Sequence, residues 1–259
     1  MFSAREYTVE ADAVSLCGVT IKGADPASFR HVHGSWSRDR KSVYWRVRRI
    51  PKADPESFEP LNEIWCRDRA TVYTCTGRPV PGARAAAFRA LDAGLNPKEG
   101  RASATPEGYG ADAKSVWFHN STYPSAWGVK GADPATFVVV AFNYARDARA
   151  VYYEQRRVAG AIPRSFRVVG AAGYAADEAS VFFEGKKLPG ADPATFKLLE
   201  ADFARDRHRY YSLFGRPSTQ NEYVKALSEM AAELKRHAKE VRAGAFETDF
   251  AGEGHPYSR

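Results

Sequence analysis

An aspartate followed four residues later by an apolar or aromatic pair recurs seven times along this chain. Asp12, Asp39, Asp68, Asp112, Asp147, Asp177 and Asp206 introduce Leu16-Cys17, Val43-Tyr44, Val72-Tyr73, Val116-Trp117, Val151-Tyr152, Val181-Phe182 and Tyr210-Tyr211. A second phrase, clearest as Gly-Ala-Asp-Pro from Gly23, Gly131 and Gly190, follows and ends on a Phe. A period of about 30 residues constrains architecture before any single motif does, because one unit of that size buries too few apolar side chains to offset its own ordering entropy. Neighbouring copies must stack, and length then counts repeats rather than domains.

The copy from Tyr174 to Phe196 is the easiest to read. Asp177 precedes the β-prone run Val181-Phe182-Phe183, where its carboxylate can accept backbone N–H bonds and fix the strand entry. Gly185 suits a hairpin turn, and Lys187-Leu188 form the returning strand. In Gly190-Ala191-Asp192-Pro193, Asp is a good N-cap and Pro a good first helical residue, so a helical turn is expected before Phe196 folds back onto the hairpin. Aromatic residues three before the Asp (Trp36, Trp65, Tyr109, Tyr144, Tyr174, Phe203) share the period of Phe29, Phe58, Phe88, Phe137, Phe166 and Phe196. Two stacked apolar ladders are expected from them. The fold class is α+β and β-rich: a tandem, solenoid-like array of about seven β-hairpin plus short helical-turn repeats over residues 7–217.

These phrases resemble the DKNYY family of bacterial repeat proteins. The local versions are Asp39-Arg40-Lys41-Ser42-Val43-Tyr44-Trp45, Asp147-Ala148-Arg149-Ala150-Val151-Tyr152-Tyr153 and Asp206-Arg207-His208-Arg209-Tyr210-Tyr211. No copy reads Asp-Lys-Asn, and Arg84 and Ile162 stand where the second phrase has its Asp. The resemblance implies a fold far more than an activity.

Spacings between the Asp copies are 27, 29, 44, 35, 30 and 29 residues, so the repeat is interrupted twice. The stretch 92–107 is rich in Gly and Pro and reads as a surface loop. The second interruption lengthens the fourth hairpin through His119–Trp127, where Tyr123 and Trp127 among small polar residues have the composition of a protein-binding loop. Beyond the last copy, Thr219 and Glu222 have capping-box spacing, and Tyr223, Leu227, Met230, Leu234 and Val241 share one helical face. An amphipathic helix over 219–243 is expected to close the array. The tail at 244–259, with Phe246, Phe250 and Tyr257 among Gly and acidic residues, is open to disorder or to folding back.

With 44% hydrophobic and 13% aromatic residues the chain has ample material for a packed core. The N-terminal residues lack a leader pattern and no apolar run is long enough to span a membrane, so the expected location is cytoplasmic. Three cysteines, Cys17, Cys66 and Cys75, are read as free thiols rather than a disulfide framework or zinc site. The histidines are scattered, and no nucleophile elbow, phosphate loop or dinucleotide fingerprint occurs, so no enzyme, cofactor or metal site is expected. The repeated Asp residues lack the companion carboxylates of a calcium loop and are read as turn caps.

The net charge of +7 is concentrated near hairpin turns. Arg46, Arg48, Arg49, Arg156, Arg157, Lys186 and Lys187, with Arg78 and Arg216, would form a positive edge if the units stack in register. Together with Tyr123 and Trp127, the seven bases named first are the candidate partner-binding residues. Solubility and protection of strand edges also explain such bases. The functional expectation is a non-enzymatic protein-binding repeat protein whose partner is an acidic protein, in concrete form a toxin inhibited by an immunity-type protein. The alternative is nucleic acid or another anionic surface, for which Trp36, Tyr44 and Trp45 among arginines would supply stacking.

Overall fold

In the computed structural model, which describes residues 6–94, 106–141, 143–170, 173–200, 203–212 and 215–242, with helix side chains as far as Arg236, the repeat phrases become the turns and strands of small antiparallel sheets. Seven such sheets occur among the described residues. Six belong to one compact unit, Met1–Ala194; the seventh and the C-terminal helix belong to another, Thr195–Arg259.

The second sheet shows the plan. Arg30–His33, Trp36–Arg38, Val43–Trp45 and Arg48–Ile50 follow one another as a four-stranded meander. Sheets four to seven repeat it, whereas the first and third have three strands. The hairpin expected from the sequence is therefore only the later half of the unit. The repeated aromatic residue lies in the second strand, and the Asp in the tight turn that leads to the third.

That turn explains the Asp. One oxygen of Asp39 accepts the N–H groups of Lys41 and Ser42, both at 2.7 Å; the other accepts the Tyr44 hydroxyl and the Asp25 N–H, both at 2.9 Å. Asp147 repeats the set with Arg149, Ala150, Tyr152 and Asp133. The Asp-Pro turn answers in kind: Ser28, Ser57, Thr136 and Ser165 accept the N–H of the residue after the next Asp, at 3.0 to 3.3 Å. The two recurring phrases are thus the two jaws of one clasp, and each jaw satisfies backbone groups that the other leaves unpaired.

The tyrosine joins the same network. Burial first, and the Asp carboxylate beside the ring second, push the Tyr44 and Tyr152 hydroxyls up to about 12. Burial would raise Asp112 and Asp147 as well, but the N–H groups aimed at them win and hold both carboxyls below the usual range.

Two expectations need correction. The first turn is opened by Glu10, not Asp12: Glu10 donates its N–H to Ala13 as Asp39 does to Ser42, and Val9 pairs with Val14 as Arg38 pairs with Val43. Asp12 is exposed, and the first interval is 29 residues rather than 27. The helical turn is also rarer than the Asp-Pro signal suggests. Short 3₁₀ turns form at Ala85–Ala87 and Pro163–Ser165, after Arg84 and Ile162, the two copies without the Asp. Asp25, Asp54 and Asp133 instead use their carboxylates on Ser28, Ser57 and Glu56, and Ala135 and Thr136, closing side-chain turns that compete with helix.

The two expected ladders interleave. Phe88 packs on Trp65 before it and Trp117 after it, with ring centroids at 5.3 and 5.8 Å. Phe137 lies likewise between Tyr109 and Tyr152, and Phe166 between Tyr144 and Phe182. Each Phe therefore bridges two sheets, and burying one stabilises the stack by about 2–3 kcal/mol before the ring contacts are counted. The second-strand aromatics also reach the next sheet through polar edges. Trp36 Nε1 donates to the Asn62 carbonyl at 2.7 Å, Tyr109 to Asn143 at 2.6 Å and Tyr144 to Gly173 at 3.1 Å.

A further tie accounts for part of the positive charge. Arg38 and Arg67, on second strands, donate to the carbonyls of Pro55 and Ala85 in the following turns. In sheets four and six the corresponding residues are Ala111 and Ala176. There the arginine comes from the paired position on the first strand, and Arg89 and Arg167 donate to Pro134 and Pro193.

Candidate interaction surface

The meander gives each fourth strand a fixed first position, opposite the residue that closes the third strand. Arg48 occupies it opposite Trp45, Arg156 opposite Tyr153 and Lys186 opposite Phe183. In the third sheet Arg78 is there, its carbonyl accepting the Thr74 N–H, and in the seventh Arg216 accepts from Ser212 in the same way. The first sheet has Val19, opposite Leu16, and the fourth has Trp127, opposite Phe118, the third residue of a third strand that here runs on to Asn120. Arg49, Arg157 and Lys187 follow at the next position, opposite Tyr44, Tyr152 and Phe182.

All of these bases are exposed. Arg156 lies 3.6 Å from Glu154, a pair of little energetic weight on an open surface, while Arg48, Arg49, Arg157, Lys186 and Lys187 form no ion pair among the described residues. Arg46 differs from the other bases. It sits in the turn itself at φ 53° and lays its guanidinium 4.4 Å from the Trp45 ring. Burial lowers its pKa.

The long fourth tip is ordered by its own residues. Asn120 accepts the N–H and hydroxyl of Thr122, and the Thr76 hydroxyl reaches across from the third sheet to the Pro124 carbonyl at 2.7 Å. Trp127 is half-buried against the core beneath it and meets Tyr123 edge-on at 4.9 Å. Tyr123 remains 52% exposed. Of the other interruption, residues 95–105 lie outside the described residues. At its near end Asp92 is a half-buried turn residue that accepts the N–H groups of Gly94 and Tyr109.

The stacking platform imagined for nucleic acid does not exist as a surface. Trp36 and Tyr44 are fully buried, and Trp45 is half-buried with its Nε1 donating to the Glu63 carbonyl. The aromatics that face the edge bases, Trp45, Tyr153 and Phe183, lie opposite them on the third strands and are half-buried or buried, which leaves Tyr123 as the exposed large aromatic among the described residues.

One buried pair has the residue types of a nucleophile and its base. Cys75 Sγ lies 3.8 Å from His119 Nε2, beneath the fourth tip. Burial pushes the thiol up to about 12 and the imidazole down to about 4. Both are therefore neutral at pH 7, the opposite of the thiolate–imidazolium arrangement that nucleophilic cysteines use. No group of three or more His, Cys, Asp or Glu side chains able to hold a metal ion occurs among the described residues. No helix among them is long and apolar enough to cross a membrane.

Sequence reasoning found the edge bases but missed the shared register that relates Trp127 to them. It also missed the Ser/Thr before each Phe; the signal was present as Asp-Pro-x-Ser/Thr-Phe at Asp25, Asp54, Asp133 and Asp192.

The model of the DKNYY family matches residues 7–156 and again residues 65–213, two overlapping matches as expected of tandem repeats. No curated protein and no solved structure gives a match.

Proposed function

The chain belongs to the DKNYY family, and from the register of its edge strands we propose that it is a non-enzymatic, cytoplasmic binding protein that docks an acidic protein partner along a solenoid-like array. The observation that carries this reading is the common first position of the fourth strands, where exposed, largely unpaired bases recur and the fourth sheet substitutes Trp127 beside the exposed Tyr123. Basic residues at one position speed encounter with an acidic surface and set its register, while an amphipathic aromatic pair supplies the desolvated centre that affinity needs. In concrete form the partner is a toxin whose activity the protein blocks, as an immunity protein does.

The test is capture of the partner from the native cell, followed by surface-plasmon-resonance kinetics on the purified pair. Replacing Arg48, Arg156 and Lys186 with Glu should slow association at least tenfold, and Tyr123→Ala with Trp127→Ala should speed dissociation. Unchanged binding by the combined variant would remove this surface from consideration. A nucleic-acid partner would instead show log affinity falling linearly with log salt.

A further inference from the structure

Among the described residues, the side-chain contacts that anchor the C-terminal helix, Gln220–Arg242, gather at its first turn. Thr219 and Glu222 form its capping box, and Tyr223 packs on Phe203 and stacks on Tyr210, with centroids at 5.6 and 5.7 Å. Past that anchor the apolar stripe loses its cover. Leu227 and Met230 are half-buried, and Val224 and Leu234 are 54% and 62% exposed.

Two features of the helix say what covers it. Tyr223, Leu227, Met230 and Leu234 are spaced by four, three and four residues, the 3.5-residue period that keeps a seam facing a second helix. The charge is also polarised along the axis. Through Glu233 the acids Glu222, Glu229 and Glu233 face one base, Lys225; from Lys235 onward the sequence has Lys235, Arg236, Lys239 and Arg242 against Glu240. A second copy laid antiparallel sets each acidic half on a basic half and opposes the two helix dipoles; a parallel copy sets like on like. We infer that this helix is a self-association surface, pairing antiparallel with the same helix of a second copy of the chain. The interaction is independent of the basic edge.

Sedimentation velocity on the full chain from 1 to 100 µM tests it, and a monomer–dimer equilibrium is expected. Leu234→Asp, at an exposed site where refolding is not at issue, should weaken dimerisation at least tenfold with unchanged far-UV circular dichroism. Glu229→Lys with Glu233→Lys should abolish it, as should Lys235→Glu with Arg236→Glu, and the four changes together should restore it. A monomer throughout the range, a dimer indifferent to Leu234→Asp, or failure of the fourfold reversal would each overturn the inference. A monomer whose helix is protected from hydrogen exchange would assign the cover to the chain's own tail, and overturns it too.

Discussion

At the residue before each Ala-Asp-Pro or its equivalent, the backbone enters the left-handed region: φ is 77° at Gly23, 76° at Gly82, 79° at Gly131, 73° at Gly160 and 71° at Gly190. The second copy places Lys52 there, at φ 63°. A side chain in that conformation costs about 1–2 kcal/mol, and glycine gives back about 0.5–1 kcal/mol through its greater freedom when unfolded. Lys52→Gly should therefore stabilise the protein by about 0.5–1 kcal/mol. The Lys52 carbonyl, which accepts the Tyr73 hydroxyl at 3.2 Å, is kept. Lys52→Ala, which keeps the strain and removes only the exposed stem, should be neutral. Gly131→Ala should lose about what Lys52→Gly gains, since a Cβ at Gly131 meets nothing within 4 Å and the effect is conformational alone. Urea titrations followed by tryptophan fluorescence report this as a midpoint shift of about 0.3 M, for a slope of about 2–3 kcal/mol per molar. A neutral Lys52→Gly beside a neutral Gly131→Ala would refute the assignment of these turns to backbone strain.

His119 and the turn aspartates give two further expectations. Burial depresses the His119 pKa to about 4. The unfolded chain, with its imidazole near 6.5, therefore takes up the proton first as pH falls. Stability from this group is complete above about pH 6.5 and declines toward pH 4 by up to about 3 kcal/mol. The stability difference between wild type and His119→Gln should accordingly shrink across that window in denaturation series at stepped pH, and parallel curves would contradict it. Asp147→Ala strands three N–H groups and the Tyr152 hydroxyl, and should cost about 3–5 kcal/mol. Asp12→Ala, at an exposed position outside the clasp, should stay within about 0.5 kcal/mol; equal thermal shifts for the two would restore Asp12 to the repeat.

The repeat was legible because its chemistry is local: an Asp that takes the N–H groups two and three residues on leaves the same short phrase each time. What the phrase could not reveal is held by distant partners. First strands such as Glu59–Pro60 and Lys197–Leu198 are two residues long and without alternation, and exist because a second strand binds them. Asp-Pro promised helix, yet the Asp carboxylate folds back on its own turn. The edge bases were visible one by one, but the lengthened hairpin in the 35-residue interval displaced Trp127 from their count, and only strand pairing aligns it with them.

The bonds from Trp36 to Asn62, Tyr109 to Asn143 and Tyr144 to Gly173 all run forward along the chain, over 26, 34 and 29 residues. A ribosome building this protein thus releases each of these three sheets with its central aromatic still lacking that forward partner. The sheet settles only when about one further repeat has emerged. Maturation then proceeds as a wave trailing synthesis by one unit, and a chain halted between units would carry its least finished sheet at the growing end.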